Sequence, residues 1–205
     1  MGYDYNQTHE KILKSAKEHF SRTGFRNASI RNICKDAGVT NGAFYAHFNS
    51  KDDLFGGIVQ PYIDGLDELY SNESDRFFEI KSAEDVLEAF KKAYSSIDRI
   101  IRYLCDNREI FILILESADG TVYENFAKDI IDAETKSMEK FLKKSKGYVK
   151  NLDKLSENII KTGSSMMIGT IFDGVKNGKD PEEILKESAL VSEFCIAGYK
   201  HILEI

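Results

Sequence analysis

The residues with most chemistry to offer lie between Ser29 and Lys51. Here Ala37-Gly38-Val39-Thr40 separates two short apolar stretches, and Asn41, Gly42, Ala43, Tyr45 and His47 follow it. The spacing is that of a helix-turn-helix: a first helix, a turn that needs glycine, then a helix free to enter a major groove. Recognition of a duplex, not bond-making, is the chemistry such a stretch performs. Catalytic signatures are missing elsewhere. No H-E-x-x-H, P-loop, G-x-S-x-G or dinucleotide fingerprint occurs, and the four histidines (His9, His19, His47, His201) are scattered. Cys34, Cys105 and Cys195 form no C-x-x-C pair and are odd in number, which argues against a disulfide framework and a zinc site. They read as small buried hydrophobes, and neither a metal nor a cofactor is expected.

The elements that must position these residues are helical. Ile12, Leu13, Ala16 and Phe20 form one stripe, predicting a first helix near 8–22 that ends before Gly24. Ser29 is a plausible N-cap for a second helix whose Ile30, Ile33, Cys34 and Ala37 fall at i, i+3, i+4 and i+7. Gly38 can take the positive φ that the turn requires. Thr40 caps a third helix through His47, with Phe44 and Phe48 one turn apart as its anchors. Thr40, Asn41, Ala43, Tyr45 and His47 then face outward, and Gly42 leaves room for close approach to a groove. Ser50 and Asp53 make a capping box for a fourth helix beginning at Lys51.

The remaining segments also carry helical period, and no run of alternating β-branched residues bounded by turns is found. Helices are predicted from a Ser82 cap to about Tyr103, over Arg108–Ser117, from Thr121 to Lys146, over about 152–176, and from Asp180-Pro181-Glu182-Glu183 nearly to Ile205. The fold expected is all-α with about nine helices, an N-terminal three-helix module over 1–50 and a larger helical body over 51–205. Charge follows the same division. Seven Lys/Arg against four acids give residues 1–50 a charge of +3, whereas 21 against 30 give the rest −9. A basic module on an acidic body suits a DNA reader with a separate regulatory part. The longest apolar run, Ile110 to Leu115, is far shorter than the roughly 20 residues of a membrane span, and the polar start has no apolar signal region. A soluble cytoplasmic protein with no membrane partner is expected.

Ile33, Ala37-Gly38-Val39-Thr40, Gly42, Phe44-Tyr45, His47-Phe48 and Ser50-Lys51 with Leu54 resemble the signature of TetR-family (TetR/AcrR-like) transcriptional regulators. The resemblance covers residues 8 to about 60. It implies that Thr40, Tyr45, His47 and Lys51 hold phosphates of double-stranded operator DNA, while Asn41, Gly42 and Ala43 lie nearest the base edges. Asn can bind adenine bidentately and Ala can touch a thymine methyl. With few long side chains, readout is expected to lean on Asn41, on Arg31 beside Ser29, and on DNA shape.

The resemblance further implies that the body binds a small-molecule effector and that its last two helices pair with a second subunit. The aromatic and methionine set Phe90, Tyr94, Ile97, Ile101, Phe111, Tyr123, Phe126, Met166 and Met167, with Phe77 and Phe78, would suit a largely apolar or aromatic effector. Small residues in the last two helices, Gly163, Gly169, Ser188, Ser192, Cys195 and Gly198, would allow a close homodimer interface. Gly56-Gly57 and Pro61 predict a kink or break in the fourth helix. The function implied is a ligand-responsive dimeric repressor rather than an enzyme. The alternative is a small helical-bundle enzyme or apolar-ligand carrier whose N-terminal module does not bind DNA.

Overall fold

The computed structural model describes residues 2–74, 80–95 and 97–205, and the side chains of 2–4, 72–74 and 93–95 lie outside that description. Ten α-helices and no strand are found among the described residues: α1 Gly2–Asn27, α2 Ile30–Ala37, α3 Asn41–Tyr45, α4 Lys51–Ser74, α5 Ala83–Ser95, α6 Asp98–Asp106, α7 Arg108–Ser117, α8 Phe126–Lys144, α9 Glu157–Lys176 and α10 Pro181–Leu203. The fold is all-α, as expected.

The chain forms two compact units, Met1–Gly65 with Glu109–Phe126, and Leu66–Arg108 with Ala127–Ile205. In the first, Ile12, Ala16 and Phe20 lie four residues apart along α1 and are fully buried. Gly24, at φ 74°, breaks the helical path and returns Phe25 to the core. There the rings of Phe20, Phe25 and Phe55 meet at 5.2–5.7 Å between centroids. Glu109–Phe126 joins this unit through ion pairs of Lys17 with Glu109 and Arg26 with Asp119. Largely solvent-exposed pairs of this kind contribute little on their own; the buried Phe111, Leu113 and Ile114 supply the larger apolar burial.

The second unit is built on α10. Its N-terminus carries the predicted cap: Asp180 accepts from the Glu183 amide, Glu183 reaches back to the Asp180 amide, and Pro181 opens the helix. Phe90, Leu142, Leu155, Ile160, Cys195, Tyr199 and Leu203 form its core. Arg108 donates to the carbonyls of Val175, in the last turn of α9, and Lys179, beyond its end, tying the start of α7 to the turn between α9 and α10.

Three expectations about elements are corrected. The helix foreseen from Ser82 to Tyr103 is two, α5 and α6. The helix foreseen from Thr121 begins at Phe126, because the Thr121 hydroxyl donates to Ala118 O and the Glu124 carboxylate accepts from the Gly120 amide, tying 118–125 into a turn. Finally, α4 runs unbroken through Gly56, Gly57 and Pro61. Proline there costs about 3 kcal/mol of helix propensity, which burial of Leu54, Phe55, Ile58, Val59 and Leu66 along the same helix offsets. The two glycines serve packing instead: a Cβ on Gly56 would stand 3.1 Å from the Tyr123 hydroxyl, and one on Gly57 3.2 Å from the Phe48 ring.

Candidate nucleic-acid interface

The turn between α2 and α3 is fixed by backbone alone. Gly38 sits at φ 67° and donates to Lys35 O, while Val39 donates to Cys34 O, the two bonds of a Schellman end. Thr40 then caps α3, its Oγ1 accepting from the Ala43 amide at 3.0 Å. The hydroxyl hydrogen stays available to donate outward. Phe44 and Phe48 are buried and hold α3 to the module, leaving Thr40, Asn41, Gly42 and Tyr45 exposed, Tyr45 by 59%. Ala43 is half-buried. A Cβ on Gly42 would meet only Thr40 Oγ1 at 3.7 Å, an ordinary contact. Nothing inside the chain therefore demands glycine at 42.

Ser29 has extended backbone at the start of α2 and its side chain makes no capping bond, so the first amides of α2 lack a side-chain acceptor there. Arg31 is exposed in the first turn of α2. Beneath, His19 pins α2 to α1: its Nε2 lies 2.8 Å from Asp36 Oδ2, and Arg22 approaches Nδ1 at 3.3 Å. A guanidinium only donates, so Nδ1 accepts and Nε2 carries the hydrogen that Asp36 receives.

Two residues of the expected set are not simply outward. His47 is half-buried, with its ring 3.9 Å from that of Tyr5 and 5.4 Å from that of His9. Its Nδ1 is enclosed without a partner, and burial, then the neighbouring His9, holds its pKa below the ordinary imidazole value. Lys51 turns inward, its ammonium donating to the carbonyls of Phe25, Arg26 and Ala28. Tertiary contacts of this kind leave no mark in local spacing.

The residues expected at an effector site divide between the units. Phe111, Tyr123 and Phe126 belong to the first, where the Tyr123 hydroxyl donates to Gln60 Oε1 at 2.7 Å. Phe90, Ile97, Ile101, Met166 and Met167 belong to the second. Phe90 stacks on Tyr199 at 5.4 Å, Ile101 and Met167 are buried, and Met166 is 37% exposed. The Tyr94 side chain, Phe77 and Phe78 lie outside the described residues. A surface cleft of about 760 Å³ along Asn151, Lys154, Lys200 and Ile205, and one of about 270 Å³ along Leu115, Glu116 and Asn125, include none of this set.

Of the six small residues expected between subunits, three are buried within the single chain, and Gly163 on α9 packs against Cys195 and Tyr199 of α10. Ser188, Ser192 and Cys195 are buried, and a Cβ on Gly163 would come within 2.5 Å of the Tyr199 hydroxyl. Gly169 and Gly198 have open space around them. The outward face of these helices carries Ile159, Met166, Leu190 and Phe194, exposed by 42, 37, 60 and 67%. Leu190, Phe194 and Gly198 follow one another at four-residue intervals, a second stripe opposite Ile184, Ser188, Cys195 and Tyr199 that the sequence already contained.

Comparison with known proteins decides the module. The family profile described as "Bacterial regulatory proteins, tetR family" matches residues 12–58. The N-terminal module is of the TetR family. The regulator UidR of Escherichia coli K12 is 42% identical over 52 residues, which cover 25% of this chain and 26% of UidR. The chain thus matches about a quarter of that relative's length. Among solved structures, a TetR-like transcriptional regulator from Rhodococcus sp. RHA1 aligns with TM-score 0.60 at 16% identity, covering 93% of this chain and 94% of the other. The fatty acid degradation regulator FadR from Bacillus halodurans aligns with TM-score 0.58 at 16% identity over 93 and 95%. The TetR-like fold therefore extends over almost the whole chain, well beyond the module that the sequence match covers. No described helix is long and apolar enough to cross a membrane.

Proposed function

We propose that the protein is a dimeric transcriptional regulator, a repressor that binds a palindromic operator through α2 and α3 and leaves it when a small, largely apolar or aromatic effector binds. Residues 1–50 read the DNA; 51–205 bind effector and partner. The observation that carries this reading is α3 itself. Two buried phenylalanines hold it, while Thr40, Asn41, Gly42 and Tyr45 stand exposed on its other side. Thr40, Tyr45 and His47 meet phosphates, Asn41 and Ala43 meet base edges, Arg31 adds to the sequence readout, and Ser29 meets the neighbouring backbone. Two-fold pairing of subunits would place two such helices on successive major grooves about 34 Å apart. An effector relieves repression only by binding one conformation better than the other.

The test is Tyr45→Ala. Tyr45 is exposed, so the variant should fold as wild type and lose operator binding in a mobility-shift assay. Unchanged binding would exclude Tyr45 from the interface, and no duplex binding by the wild type at any salt would reopen the carrier reading.

A further inference from the structure

Lys51 opens α4, and its ammonium lies against the end of α1. Nζ is 2.7 Å from Phe25 O, 3.1 Å from Ala28 O and 3.2 Å from Arg26 O, and 4.4 Å from the centroid of the Phe25 ring. An ammonium has three hydrogens and no acceptor. Three carbonyls converging on one nitrogen use all of them, and the aromatic face adds a cation–π contact. These carbonyls belong to the turn after the Gly24 break, where Phe25 O also accepts from the Ala28 amide and offers Lys51 its second lone pair. Ser29, the first residue of the α2 entry, follows directly.

We infer that Lys51 is a positioning residue for DNA recognition rather than a phosphate ligand: it clasps the corner between α1 and α2, from which Ser29 and Arg31 are presented. The inference rests on the DNA-binding reading above, but the clasp can be tested without DNA. Its position explains why a lysine is suited to the site. Only a compact point donor reaches three oxygens at once, whereas the planar fork of arginine directs its hydrogens apart.

Two variants separate the roles. Lys51→Met keeps the aliphatic stem and removes the donors; Lys51→Arg keeps the charge and changes the geometry. On an operator selected by the wild type, with both variants folded at the assay temperature, both should lose about tenfold in affinity with the dependence of log K on log salt unchanged. Arg31→Met, the control that removes an exposed cation from the DNA-facing side, should lower that slope by about one. A fall of about one in Lys51→Met, with wild-type affinity in Lys51→Arg, would make Lys51 a phosphate ligand and overturn the inference. So would full affinity in both.

In the free protein, exchange of the Ala28 amide, which donates to Gly24 O and Phe25 O, should quicken in Lys51→Met while Ile12–Phe20 stays protected; a change confined to overall stability would quicken both together. Equal protection of the Ala28 amide would overturn the clasp even if no duplex were bound. Absence of duplex binding by the wild type would instead refute the DNA reading. If Lys51→Met does not fold, wild-type protein with isotope-labelled lysine decides. Coupling of the Lys51 ammonium to an operator phosphorus would refute the inference, and an ammonium signal unmoved by DNA would support it.

Discussion

Pairing of two subunits through the apolar outer face of α9 and α10 would carry a measurable association energy. Phe194 is 67% exposed and Leu190 60%, one helical turn apart on α10, with Ile159 and Met166 on α9. A phenylalanine buries about 200 Å², so covering the exposed two-thirds of Phe194 removes about 130 Å² from water, or about 3 kcal/mol at roughly 25 cal/mol per Å². Alanine retains part of that area, so Phe194→Ala should cost about 2 kcal/mol per subunit. A two-fold interface contains the residue twice. The expected loss is therefore about 4 kcal/mol, which raises the dimer dissociation constant about a thousandfold. Sedimentation equilibrium over a wide protein concentration range reads this directly, and circular dichroism should show an unchanged helical content because the side chain is exposed in the single chain. A wild-type protein monomeric at tens of micromolar, or a Phe194→Ala variant that dimerises as tightly as wild type, would refute the reasoning.

Other outcomes follow from single contacts. Gly42→Ala should leave stability unchanged or raise it by up to about 1 kcal/mol, since the new methyl meets only Thr40 Oγ1, yet weaken operator binding; retained affinity would show that α3 approaches DNA less closely. Gly163→Ala should destabilise by about 1–3 kcal/mol in denaturant unfolding, because its methyl meets the hydroxyl of the buried Tyr199, whereas Gly169→Ala, in open space, should not. The depressed pKa of His47 makes its contribution to stability complete above about pH 6.5 and lost as pH falls through the lower folded value. Melting temperature should therefore fall more between pH 7 and 5 for wild type than for His47→Gln; equal falls would exclude this histidine.

What could be read from the sequence was local. Gly38 in the turn, Thr40 at the start of α3 and the Asp180–Glu183 box announce themselves because each is satisfied within a few residues. The inward pair Phe44 and Phe48 was equally legible from its four-residue spacing. What escaped is decided between elements far apart in sequence. Nothing near Lys51 shows that its ammonium will find carbonyls 23 to 26 residues earlier. Likewise, small residues on α10 give the same pattern whether they face the interior of their own chain or another subunit; Ser188, Ser192 and Cys195 are buried within the single chain. Pro61 misled because local cost was weighed without the packing of the whole of α4.

The central claim is that this chain reads DNA as a two-fold dimer. Selection of bound sequences from a random duplex pool by the purified protein, followed by salt titration of the winner, tests it most directly. The account predicts an enriched inverted repeat whose affinity falls steeply as salt rises and disappears in Tyr45→Ala. An unenriched pool across salt concentrations, with the protein folded, would contradict it.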